Sequence, residues 1–126
     1  MSTRANIVIK DQYDELWFYR HSDGYPEGTM PTLEKFLGWV KEGKIRNNPQ
    51  QAAGWLIMIG ALENNKRYVW KDGNLTRIEL SADQLLEPLN DNWKVGAYEP
   101  STGQHGDIEY LYTIDLDKKT ITVEEV

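Results

Sequence analysis

The chain has 126 residues, of which 40% are hydrophobic and 27% charged, and a formal net charge of −6. That length suits one compact domain burying roughly two thirds of its unfolded surface, and that composition excludes wholesale disorder. With no cysteine, disulfides, thiolate metal sites and a cysteine nucleophile are excluded. The acidic balance argues against gripping nucleic acid through its phosphates, which needs an excess of Lys and Arg.

The elements read as strands, then helices, then strands. Asn6 to Lys10 is a short β-branched run, and 11–14 is a polar turn. Glu15 to His21 is a second strand, with Leu16 and Phe18 on one face and Trp17, Tyr19 and His21 on the other. The pair predicts an antiparallel hairpin. Ser22 to Thr29, with Gly24, Pro26 and Gly28, reads as an irregular loop. Pro31 to Glu42 predicts a helix, because Leu33, Phe36, Leu37 and Val40 recur on one face and Gly43 supplies a stop. Asn48, Pro49 and Gln51 form a cap for a second helix. From Ala52 to Leu62 that helix is apolar nearly all round, which predicts the most buried element, with Trp39 and Trp55 packed on the sheet. Gly54 and Gly60 weaken it by about 1 kcal/mol each, which predicts close approach of other backbone at both.

Asp72-Gly73 predicts a hairpin between Arg67–Trp70 and Leu75–Leu80. Ser81 to Gln84 reads as a capping box for a short helix ending near Pro88. Trp93–Tyr98 and Ile108–Leu116 read as strands around a loop from Glu99 to Asp107, and Thr120–Glu125 as the last strand. Ile108, Tyr110, Tyr112, Ile114 and Leu116 alternate with a polar face, and Ile121 and Val123 match them. The whole predicts one α+β domain over residues 1–126: a mainly antiparallel β-sheet, wet on one face, with two central helices packed on the other. The longest uncharged apolar run, Ala52 to Leu62, is about half a bilayer span, and no secretory h-region follows Met1. No membrane partner is expected, and a cytoplasmic location follows.

Three features bear on function. Arg20 to Gly28 gathers a cation, an imidazole, two carboxylates and a phenol at a strand exit, where function concentrates on a rigid scaffold. Self-capping by Ser22 and Asp23 explains the same residues structurally. His21-Ser22-Asp23 and His105-Gly106-Asp107 are both His-x-Asp triplets, which could share a proton or bind a metal if the fold joins them. Five tryptophans and seven tyrosines exceed what a small core needs, and Trp17 and Tyr19 lie on a strand apolar on both faces. No dinucleotide-binding glycine motif, phosphate-binding loop, zinc-protease motif or nucleophile elbow is present. An enzyme is the minority reading, and no cofactor is expected.

The stretches Ser2-Thr3-Arg4-Ala5-Asn6-Ile7-Val8-Ile9-Lys10-Asp11, Tyr19 to Gly28, and Gly106 to Asp115 resemble small uncharacterised proteins of bacteriophages and prophage-like elements. The resemblance spans most of the chain and implies a mobile-element accessory protein in the host cell. Small acidic proteins of such elements often counter host defences, by binding a defence protein or sequestering a nucleotide signal. The leading expectation is therefore a non-enzymatic binder of a small nucleotide-like ligand or a host defence protein. Its candidate ligand-binding residues are Trp17, Tyr19, Arg20, His21, Asp23, Tyr25 and His105. One alternative is a small metal-dependent hydrolase using His21/Asp23 and His105/Asp107. A second is a structural or assembly protein forming a homo-oligomer through the aromatic strand. The reading depends on the exit loop of the first hairpin and the 99–107 connection meeting at one rim of the sheet.

Overall fold

The computed structural model describes residues 3–64, 66–79, 81, 83 and 97–126. Its elements are β1 (Ala5–Lys10), β2 (Glu15–Arg20), α1 (Pro26–Lys41), α2 (Pro49–Asn64), β3 (Lys66–Lys71), β4 (Asn74–Glu79), β5 (Glu99–Ser101), β6 (Tyr110–Asp115) and β7 (Thr120–Glu125). Five strands form one sheet in the order β5-β2-β1-β6-β7, and β3-β4 form a separate two-stranded sheet. The class is α+β, with the helices packed on one face of a mostly antiparallel sheet. The exception is the central pair, since β1 and β6 run parallel with Ile7 beside Tyr112.

Alternation along the strands sorts the two faces. Ala5, Ile7 and Ile9 of β1 and Phe18 of β2 join Tyr112 and Ile114 of β6 under the helices. Leu33, Phe36, Leu37 and Val40 of α1 and Ala52, Ala53, Leu56 and Ile59 of α2 complete that core. The period-3.6 stripe of α1 and the cap of α2 are as expected: the Asn48 side-chain oxygen accepts from the Gln50 and Gln51 N–H groups at 3.0 and 3.3 Å. Asp11 and Asp115 each accept two backbone N–H groups, closing the β1–β2 and β6–β7 turns. Asp72 and Gly73 both have positive φ, 51° and 78°, the geometry of the expected Asp-Gly hairpin turn.

Several expectations are corrected. Helix α1 begins at Pro26, so the stretch 26–29 is its first turn rather than loop, and Pro31 lies inside it. That turn is held by tertiary bonds: Arg20 donates to Gly28 O at 3.4 Å, and Thr29 Oγ1 donates to Asp23 O at 2.8 Å. The 99–107 stretch is not all loop, because Glu99–Ser101 pairs with β2 as a three-residue edge strand. Pro100 is tolerated there because an edge strand needs hydrogen bonds on one side only. Helix α2 is not buried all round: Met58 and Leu62 are exposed, and Trp55 lies at the surface instead of on the sheet. A Cβ at Gly54 would meet nothing, whereas one at Gly60 would lie 2.7 Å from Tyr98 Cδ2, so close approach explains only the second glycine. The stretches 84–90 and 93–96, where the short helix and most of the strand before Tyr98 were expected, lie outside the described residues.

Candidate functional site

Strands β5 and β6 lie on opposite sides of the β2–β1 pair. The connection 102–109 must therefore cross β2 and β1, and its contacts show that it does so on the face away from the helices. Asn6 faces that side, and its side-chain oxygen accepts from the His105 N–H at 2.7 Å. The Asn6 amide nitrogen in turn donates to Phe18 O at 2.8 Å. The crossing segment is a strap tied to the sheet by a buried asparagine. It explains why residues 5–9 are buried at five consecutive positions: helices cover one side of β1 and the strap covers part of the other.

Tyr19 is the point where the two histidine segments meet. The His105 ring stacks on the Tyr19 ring at a centroid distance of 4.1 Å and 10° between planes. The Tyr19 hydroxyl lies 3.0 Å from His21 Nδ1, and the His21 ring is tilted at 5.9 Å from it. The two histidine segments therefore meet at one rim of the sheet, with Tyr19 in contact with both imidazoles. Burial raises the Tyr19 pKa, the carboxylates of Asp107 and Glu99 raise it further, and Arg4 opposes them. The phenol is thus neutral at physiological pH, and its hydroxyl shares a hydrogen bond with His21 Nδ1 whose direction follows the imidazole tautomer.

The rest of the expected set is distributed around this centre. Trp17 lies two residues back on the same face of β2, half-buried, with its indole N–H 3.5 Å from Glu15 Oε1. Arg20 points the other way. It is buried beneath the sheet end, donates to Asp23 O at 3.3 Å and Gly28 O, and lies 5.0 Å from the Tyr98 ring centroid. An arginine committed to two carbonyls and a ring holds the exit loop in place. Asp23 has φ 57° and an exposed side chain, while its carbonyl does the loop bonding. Tyr25 precedes α1, is exposed, and makes no side-chain cap. Tyr112 donates to Gly24 O at 2.6 Å from the helix side, pinning the same loop. Asp107 pairs with Arg4 at 3.0 Å, so it secures the strap. Among the described residues no three His, Asp or Glu side chains gather as a metal-holding group.

Asn6, Arg4 and Glu99 belong to this site and were not singled out in the sequence. Asn6 could have been: a lone amide inside the apolar run Ala5 to Ile9 is a buried polar group that must find partners. Glu99 enters through the register that sets it beside Tyr19. The comparisons supply no further guide, since no family model, curated protein or solved structure matches this chain. No helix among the described residues is long and apolar enough to cross a membrane.

Proposed function

We propose that this protein is a phage-type accessory protein acting by stoichiometric capture, and that it antagonises a host defence system by binding a basic patch on a defence protein. The observation that carries the reading is the chemistry of the strap face. Alternation sets Trp17, Tyr19 and Glu15 of β2, Glu99 of β5, and Asp115 and Glu124 of β6 and β7 on this side of the sheet, with Asp107 and His105 on the strap. Lys10 is the one cation those strands contribute to that side, and Arg4 is paired at its margin. Aromatic rings surrounded by carboxylates suit a cationic protein surface and repel an anionic nucleotide. Arg20, the residue with the chemistry for a phosphate, is turned under the sheet.

The test compares the wild-type chain with the Glu99→Lys/Glu124→Lys variant as bait in host lysate, alongside calorimetry with cyclic nucleotides. Capture of a defence protein that weakens with salt and is lost in the charge-reversed variant supports the reading. Tight binding of a cyclic nucleotide, or capture indifferent to both salt and charge reversal, overturns it.

A further inference from the structure

The chain contains two Asp-Gly steps, Asp23-Gly24 and Asp72-Gly73. Both aspartates are exposed and both have positive φ, 57° and 51°, so neither property separates them. The peptide that follows each one does. At the first step the Gly24 N–H donates to Thr3 O at 2.9 Å, and Tyr112 donates to Gly24 O at 2.6 Å. Asp23 O accepts from Thr29 Oγ1 at 2.8 Å and from Arg20 at 3.3 Å. Gly24 is buried, and a Cβ built on it would lie 2.9 Å from both Ala5 Cβ and Thr3 O. At the second step Lys71 pairs with Asn74, so Asp72 and Gly73 are a two-residue loop and the Gly73 N–H lies outside the ladder. Gly73 is exposed, with φ 78°, and a Cβ there would meet nothing. Among the described residues neither the Gly73 N–H nor the Asp72 carboxylate has a hydrogen-bond or ion-pair partner.

We infer that Asp72-Gly73 is a site of spontaneous isomerisation, where the main chain reroutes through the aspartate side chain, and that the fold protects Asp23-Gly24 from the same reaction. In the first step the Gly73 nitrogen bonds to Cγ of the protonated Asp72 carboxyl. The carboxyl hydroxyl leaves as water, taking the N–H proton, and a five-membered imide remains. Water then adds to the former backbone carbonyl of Asp72. The bond from that carbon to the Gly73 nitrogen breaks, and the nitrogen takes back a proton. The product has the mass of the original chain, with Gly73 joined to Cγ and the old carbonyl carbon freed as a carboxylate. The attack requires the glycine nitrogen to turn toward the preceding carboxyl, and no Cβ at 73 stands in the way. At the first step the same turn would break the Gly24 bond to Thr3 and disturb the bonds that fix Asp23 O and Gly24 O. The consequence falls on the hairpin. A two-residue loop matches the twist of its strands, and the product adds a backbone atom to it, which pulls the Lys71–Asn74 pair out of register.

The experiment holds the full chain for weeks in mildly acidic buffer and labels samples with an isoaspartyl methyltransferase and radiolabelled S-adenosylmethionine, followed by peptide mapping. Label is expected in the peptide that contains Asp72. Labelling at Asp23 is expected to be slower by at least roughly tenfold, because that step reacts only from a locally opened state. In concentrated urea the two steps are expected to react at similar rates, since the bonds that distinguish them are gone. Asp72→Glu keeps the charge but would need a larger imide ring, and is expected to lose the label at 72. Native protein labelled equally at both aspartates overturns the proposal. So does native protein without label at Asp72, an Asp23 that stays unreactive in urea, or label in that peptide that survives Asp72→Glu.

Discussion

Single side chains do much of the organising work in this protein, and they do it with few atoms. Asn6 satisfies Phe18 O and the His105 N–H at once, inside a strand that is otherwise apolar. Replacing it with leucine keeps the volume close but leaves a buried carbonyl and an amide unpaired, which costs about 1–3 kcal/mol for each group that stays dry. The expected outcome for Asn6→Leu is a lower urea midpoint, together with faster hydrogen exchange at the His105 amide. Unchanged exchange there would show that the strap does not depend on Asn6. Tyr112 plays the corresponding part on the helix side through Gly24 O. Burial pushes its pKa from 10.0 up to about 12, against a smaller opposing effect of the Thr29 hydrogen bond. The folded state therefore holds this proton more tightly than the unfolded chain does. The resulting stabilisation is present in full below pH 10 and is lost as pH rises from 10 toward 12. Tyr112→Phe is expected to cost about 1 kcal/mol at neutral pH and to make the alkaline fall in stability shallower over that interval, as read from urea midpoints.

At the scale of elements, what the sequence made legible and what it hid divide along a physical line. Helix stripes, the Asn48 cap, the Asp-Gly hairpin and the alternation of β6 are local patterns, and all are present in the fold. The first turn of α1 was hidden because its bonds come from Arg20 and Thr29 through tertiary contact, and because Pro31 reads as a beginning. Strand β5 was hidden because three residues around a proline carry no periodicity, and only the free edge of β2 makes them a strand. The exposed Trp55, Met58 and Leu62 of α2 show the converse. A run apolar all round predicts burial all round, but a helix on one face of a sheet has one side to bury. The two glycines of α2 make the distinction measurable. Gly60→Ala drives a methyl into Tyr98 and is expected to destabilise by about 1–3 kcal/mol, whereas Gly54→Ala meets open space and is expected to stabilise by up to about 1 kcal/mol. Thermal unfolding of the two variants checks both signs. Equal shifts would remove the close-approach explanation for Gly60.

The candidate site was half legible for the same reason. Trp17, Tyr19 and His21 share a face by simple alternation, and that face is where they are found. The arrival of His105 depends on β6 pairing with β1 in parallel, which forces the strap across the sheet. No local spacing encodes that crossing. Arg20, adjacent in sequence to Tyr19, belongs by the same alternation to the opposite side, where it stabilises the loop from beneath.

For the molecule as a whole, the parallel β1–β6 pair is the decision from which the rest follows. It places helices on one face and a strap on the other, and it joins two histidine segments far apart in sequence on one tyrosine ring. It also leaves β7 at an open edge, remote in the strand order from the short β5 edge. The capture reading, however, needs the strap to be seated. The most direct measurement is a nuclear Overhauser spectrum of the full chain in solution, read at the ring protons of His105. Cross-peaks from those protons to the Tyr19 ring, disappearing in Asn6→Leu, are the predicted result. A His105 ring with no cross-peak to Tyr19 in the wild-type protein would contradict the account.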